Sequence, residues 1–118
     1  MIDLKKAITS LAEDEVEFVL VGGVAINLHS SAYITRDLYV CYSRSRENLV
    51  RVVKALAPFH PRPRDFDKNL PYFFDVSTLR NGTNFTFETS IGAVDLLGEV
   101  KGLGDYPSVL EHSLVFKI

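Results

Sequence analysis

The chain has no tryptophan, one cysteine and one methionine among its 118 residues, and each scarcity excludes something. A lone Cys41 cannot close an internal disulfide, and no Cys/His cluster has the spacing of a structural zinc site, so the fold is not one stapled by either device. No apolar run approaches the ~20 residues that a membrane-spanning helix needs. The N-terminal stretch MIDLKKAITSLAEDEVE alternates apolar and charged residues, which is the pattern of an amphipathic helix and not of a signal peptide. A reducing, cytoplasmic location without a membrane partner is the expectation. There is also no large charge of either sign: the formal net charge is −2, so any nucleic-acid contact must come from a local patch. What is present is 47% apolar and 24% charged residues, the balance of a packed globular domain, and the length suits one domain over 1–118.

Apolar residues recur at helical spacing at Ile2, Leu4, Ile8 and Leu11, which predicts a surface helix over 3–14. The run Phe18-Val19-Leu20-Val21 reads as a buried strand stopped at Gly22-Gly23, after which Val24 to His29 resumes helical spacing. Residues 37–42, DLYVCY, read as a second strand with Leu38, Val40 and Tyr42 on one face and Asp37, Tyr39 and Cys41 on the other. Ser43 or Ser45 is placed to cap a helix over about 45–57, whose stripe is Leu49, Val52, Val53 and Leu56 and whose end is Pro58. The segment from His60 to Val76 carries three of the five prolines and is expected to be irregular, with a short strand near Phe73 and Phe74. Residues 83–89 and 91–97 read as a hairpin, and Asp105 to His112 as a short helix before a strand-like SLVFKI. The expectation is an α/β (α+β) domain with a mixed β-sheet flanked by helices.

Two features of this pattern, its strand acids and a glycine pair, bear on chemistry. Acids at i and i+2 of a strand share a face, and a third acid on a neighbouring strand completes an oxygen-lined site for a divalent ion. A glycine pair at a strand-to-helix turn offers backbone N–H groups that approach phosphate closely. Here Gly22 and Gly23 occupy such a turn, Asp37 begins the next strand, and Asp95 interrupts the otherwise apolar strand IGAVDLL. An acid in that setting needs a polar cleft or a buried partner.

The stretches LVGGVAINLHSSAYITRDLYV and GAVDLLGEV together resemble the nucleotidyltransferase superfamily with the DNA polymerase β-like fold. Its motif is a Gly-Gly or Gly-Ser turn, a spacer, Asp-x-Asp and a distant third Asp. The likeness covers roughly residues 4–103, with Ala25, His29, Thr35 and Arg36 also falling where such proteins have similar residues. Within the superfamily the chain is similar to the minimal prokaryotic transferases of toxin–antitoxin systems, the AbiEii-like group. The resemblance implies transfer of a nucleoside monophosphate from a nucleoside triphosphate to a protein hydroxyl or an RNA end such as that of tRNA. It implies Mg2+ held by Asp37 and Asp95 as metal-binding and catalytic residues, the triphosphate on Gly22, Gly23 and Arg36, and a cognate toxin or antitoxin as partner.

The chain departs from that pattern in two places. Tyr39 stands where the second motif acid belongs, and a tyrosine phenol is a poor ligand for a hard cation. Members of the group also commonly continue into a helical segment with a basic Lys and an Arg-x-Lys-Asp pattern, so 1–118 is expected to be either a minimal domain or a fragment. Tyr39 has three readings: an ordinary strand aromatic, a plug in the vacated metal position, or a platform for a base. Arg44 and Arg46 are candidates for holding triphosphate. Arg62 and Arg64 read as a small exposed basic loop, His29 as a helix-end residue and Cys41 as a buried structural thiol. Three functions follow: an impaired metal-dependent transferase, a catalytically inactive nucleotide- or protein-binding module of the same fold, or an interaction domain in which Asp37 and Asp95 lie far apart.

Overall fold

The computed structural model describes residues 3–21, 37–67 and 69–112, with the backbone alone for Leu4, Asp37 and His112. The expected helix from Val24, the strand-like run at 113–118, and Gly22, Gly23, His29 and Arg36 lie outside the described residues.

Helix α1 spans Leu4–Glu13, and Asp3 caps it by accepting from the Lys6 N–H at 3.1 Å. It ends in a six-residue loop-back, in which Val16 N–H donates to the Leu11 carbonyl at 3.0 Å and Glu15 N–H to Ala12 at 3.1 Å. Glu15 takes the left-handed conformation there, φ 57°, where glycine is the commoner choice. Leu11 and Val16 are both buried, and their contact secures the exit of the chain into the sheet.

Strands β1 (Phe18–Leu20), β2 (Asp37–Tyr42), β3 (Arg62–Pro63), β4 (Asn84–Thr89) and β5 (Gly92–Leu97) form one mixed sheet in the order β1-β2-β5-β4-β3. Only β2 and β5 run parallel; the other pairs are antiparallel. The β4–β5 hairpin forms as expected. Its two-residue turn is closed by Thr89, whose hydroxyl donates to the Gly92 carbonyl at 2.6 Å and accepts from Ile91 N–H at 3.1 Å. Gly92 has φ 121°, a value that a side chain would oppose. A small second sheet pairs β6 (Glu99–Val100) with β7 (Gly104–Asp105).

The alternation expected in β2 is found: Leu38, Val40 and Tyr42 enter the main core, Cys41 is buried on the opposite face, and Tyr39 is exposed there. The main core joins that first face, with Phe87, Val94 and Leu96, to Ala7 and Leu11 of α1 and to Leu49, Val52, Ala55 and Leu56 of helix α2, Arg46–Leu56. Ser45 is the α2 cap, accepting from Asn48 N–H at 3.2 Å. Beyond Leu56 the helix tightens into a 3-10 turn, Ala57–Phe59, that contains Pro58. On the opposite face a second cluster packs Val19 and Cys41 against Val109 of helix α4, Tyr106–His112. No described helix is long and apolar enough to cross a membrane.

The strand expected near Phe73 and Phe74 is not there. Asp75 instead caps a short helix α3, Val76–Arg80, by accepting from Thr78 N–H at 2.8 Å, and that bond holds its carboxyl below the usual range. Phe74 contributes from irregular backbone, meeting Phe87 edge-on at 5.3 Å. The aromatic β signal loses to a capping acid because Phe74 can fill the core without pairing a strand. The strand that does form in this segment is β3 at the sheet edge, where Pro63, lacking an N–H, is tolerated.

Asn48 joins three of these elements. It is fully buried, its Oδ1 accepts from Glu17 N–H at 2.7 Å, and its Nδ2 donates to the carbonyls of Glu17 (3.2 Å) and Ser43 (2.7 Å). Asn48→Ala removes all three bonds and is expected to cost about 2–3 kcal/mol of unfolding free energy, read from urea denaturation. Asn48→Asp, although isosteric, turns a donor toward two carbonyls into an acceptor and should cost at least as much; a neutral result for Asp would remove Asn48 from this role.

Candidate functional site

The two sequence segments that carry the chemical signals are brought side by side. In the parallel β2–β5 pair, Tyr39 is the register partner of Asp95, and Asp37 pairs with Ala93 two positions earlier. The register extends across the sheet: Asp95 is opposite Thr86 of β4, Thr86 accepts from Arg64 N–H at 2.9 Å, and Val21 N–H donates to the Tyr39 carbonyl at 3.0 Å. One row therefore runs Val21, Tyr39, Asp95, Thr86, Arg64.

Asp95 is 7% exposed, which makes its charge costly unless a cation answers it. Arg64 does so, with Nη2 donating to Asp95 Oδ1 at 3.2 Å. Neighbouring strands lie about 4.8 Å apart, so a side chain must span two strand spacings to make this pair, and it passes over the short Thr86. Arginine has that length. Its Nε also donates to Glu88 Oε1 at 3.1 Å, so a single guanidinium serves two carboxylates through different edges of its fork. The expectation that Asp95 has a buried partner is met, whereas the reading of Arg64 as part of a solvated loop is corrected. Arg62 is likewise engaged, donating through Nη2 to the carbonyls of Asp67 (3.0 Å) and Leu70 (2.7 Å).

Arg44 is also corrected as a triphosphate candidate. Its Nη1 donates to the Tyr42 hydroxyl (2.8 Å) and the Leu79 carbonyl (2.9 Å), and its Nη2 to the Arg80 carbonyl (3.1 Å). The guanidinium closes the end of α3 and, through Tyr42, whose hydroxyl donates to the Thr83 carbonyl at 2.8 Å, ties that end to β2. Arg46 sits exposed in the first turn of α2.

A divalent ion such as Mg2+ requires several oxygen ligands in near-octahedral array. The described residues do not fit one as they stand. At Asp95 the compensating charge is already Arg64, its register neighbour is a phenol, and no three acid, His or Cys side chains converge among the described residues. Gly22, Gly23 and Arg36, to which the triphosphate was assigned, lie outside the described residues, as does the side chain of Asp37. Sequence reasoning missed Arg64, and the available signal was indirect: an acid inside IGAVDLL demands a cation, and Arg64, directly after the Pro-containing edge strand, has a side chain long enough to supply one.

Cys41 is buried on the same sheet face as the polar row, against Val109 and Tyr106. Burial first, and the Asp105 carboxylate second, push its thiol up to about 11. The folded protein is therefore expected to resist a thiol reagent at pH 8 for as long as it stays folded and to react fully in urea. Because the unfolded thiol ionises near 9 and the folded one near 11, the folded state holds this advantage in full below pH 9 and loses it as pH rises through 11. Urea midpoints should fall across that window, and Cys41→Ala should flatten part of the fall. Tyr42, Tyr72 and Tyr106, whose phenols burial also raises, contribute to the remainder.

Set against known proteins, the chain matches no family model, no curated protein and no solved structure.

Proposed function

We propose that this chain is a nucleotidyltransferase-type domain whose metal-dependent transfer is impaired, and that it acts chiefly by binding a nucleoside triphosphate. The observation that supports the reading is the parallel register of β2 with β5, which sets the Asp37–Tyr39 segment beside Asp95 although the two are far apart in the chain. Adjacent strands carrying those acids are what the resemblance implies for the Asp-x-Asp strand and the third-acid strand. In this reading the Gly22-Gly23 turn offers N–H donors to the β- and γ-phosphates, Arg36 adds a cation, and Asp37 stands at the mouth of the sheet. The transfer this ancestry supposes joins a hydroxyl oxygen to the α-phosphorus and breaks its bond to pyrophosphate. The acceptor is a protein hydroxyl or an RNA end, and the setting is a toxin–antitoxin pair.

Impairment has two supports. Tyr39 replaces an acid, and Arg64 holds Asp95 where an ion would need a free carboxylate. The same ion pair favours the second reading, a binding module with no turnover, over an active enzyme.

Calorimetry with ATP, GTP, CTP and UTP, with and without Mg2+, tests the reading on the parent, Asp37→Ala and Tyr39→Asp. At least one nucleotide should bind the parent in the micromolar to millimolar range with a weak Mg2+ dependence, and Asp37→Ala should remove that dependence and weaken binding. Tyr39→Asp should strengthen the Mg2+ dependence and raise transfer of labelled nucleotide by about tenfold or more, a barrier change of ~1.4 kcal/mol. Equal transfer in parent and Tyr39→Asp would place Tyr39 away from the chemistry. No binding in any of the three proteins would sink the nucleotide reading and leave the protein-partner form of the module.

A further inference from the structure

We propose that Asn81-Gly82 is a site of spontaneous deamidation, at which Asn81 loses ammonia through a cyclic succinimide, and that the isoaspartate product loosens the joint between α3 and β4. The inference goes beyond the nucleotide reading and does not rest on it. Asn84, at the start of β4, pairs with Leu97 at the far end of β5, whereas Asp37 pairs with Ala93 near the other end.

The pair is set apart first by its chemistry. Ring closure needs the backbone nitrogen of the following residue to reach the carboxamide carbon, and glycine, with no Cβ to shield that nitrogen or restrict its backbone, opposes this least. Asn81-Gly82 is the one Asn-Gly step in the chain. Asn81 is exposed, and among the described residues neither its carboxamide nor the Gly82 N–H enters a hydrogen bond. Other asparagines are held. Asn48 is buried in its network, and Asn84 accepts through Oδ1 from the N–H groups of Gly98 (2.9 Å) and Glu99 (3.1 Å).

Packing demands the glycine. A Cβ at position 82 would lie 2.6 Å from the Phe85 ring, and that ring is itself stacked on Phe87 with centroids 5.6 Å apart. Backbone conformation sets the pace. Asn81 follows α3 in a helical conformation, φ −81° and ψ −4°, with its N–H bonded to the Ser77 carbonyl at 3.1 Å. Its ψ must turn well away from that value to bring the Gly82 nitrogen onto Cγ, so the folded chain reacts when the end of α3 frays. A helix of five residues gives up its last turn at little cost.

The atoms balance with water as the only co-reactant. The Gly82 nitrogen gives up its proton and bonds to Asn81 Cγ, the Cγ–Nδ2 bond breaks, and ammonia leaves with that proton. Water then opens the ring. Opening at the former side-chain carbonyl leaves a carboxylate on an ordinary backbone; opening at the backbone carbonyl routes the chain through the side chain and lengthens it by one methylene. The longer product falls where there is no slack, because the Arg44 guanidinium donates to the carbonyls of Leu79 (2.9 Å) and Arg80 (3.1 Å) and Gly82 lies against Phe85.

The full chain, folded and in urea, is incubated at mildly alkaline pH and followed by intact mass. Unfolded aliquots are assayed for isoaspartate by methyl transfer from labelled S-adenosylmethionine with an isoaspartyl methyltransferase. The folded parent should gain one mass unit and become a methyl acceptor, several-fold more slowly than the chain in urea and faster as pH rises, since ring closure needs the deprotonated nitrogen. Asn81→Gln, whose larger ring closes poorly, should gain neither over the same period. The isoaspartate form, isolated chromatographically, should melt about 4 °C or more below the parent, while Asn81→Asp, which adds the charge without lengthening the backbone, should melt close to it. A folded parent still unmodified after the chain in urea has passed several half-lives overturns the site. So does an Asn81→Gln protein modified as fast as the parent. An isoaspartate form that melts with the parent, or an Asn81→Asp protein that melts as low as the isoaspartate form, overturns the loosened joint.

Discussion

A carboxylate placed near the middle of a central strand sets the terms for much of this structure. Asp95 lies on β5, between its parallel neighbour β2 and its antiparallel neighbour β4, and is almost shut off from solvent. Leaving such a charge unanswered would cost several kcal/mol, out of a net stability typically about 5–15 kcal/mol for a domain. The answer comes from the sheet edge. Arg64 can reach only if β3 adds to β4 in the observed register, if the residue between is as short as Thr86, and if the chain turns away at once after Arg64. The irregular, proline-containing segment between α2 and α3 is therefore not a passive connection: its geometry delivers the cation.

The opposite face follows different physics. Leu38, Val40, Tyr42, Val94 and Leu96 need only to be covered, and α1, α2 and α3 cover them with apolar side chains. The polar groups that become buried in doing so are few, and each is answered. Asn48 matches the backbone where β1 begins and β2 ends, and Arg44 closes the carbonyl end of α3 while bonding Tyr42. Apolar cover on one face, and on the other a smaller apolar cluster beside the Asp95–Arg64 ion pair, give the sheet two distinct surfaces. Asp95, the acid whose setting in the sequence called for a partner, lies on the second, and there it is held in an ion pair with Arg64.

Several elements were legible in the sequence because local rules dominate them. The Ile8 and Leu11 half of the α1 stripe, the α2 stripe, the Ser45 cap, the β4–β5 hairpin and the alternation in DLYVCY all depend on neighbours within a few residues, and the structure contains each, while Ile2 and the side chain of Leu4 lie outside the described residues. Others were misread for identifiable reasons. Phe73 and Phe74 look like strand residues, but Asp75 starts a helix and Phe74 packs as a ring alone. Arg64 reads as a solvated cation and Arg44 as a phosphate ligand because the backbone and carboxylate partners that hold them are distant in the chain, 35 residues away at Leu79 for Arg44 and 31 at Asp95 for Arg64.

The alternation of helices and strands, the buried side of the described amphipathic elements, and the need for Asp95 to have a partner can be read along the chain, since all three follow from spacing and from the cost of burying charge. The parallel pairing of β2 with β5, with Tyr39 opposite Asp95, and the choice of Arg64 as a partner for Asp95 come from the folded arrangement. Strand order and long-range ion pairing depend on which surfaces are left to meet after the local elements have formed, and a linear pattern of residues does not encode that choice one position at a time.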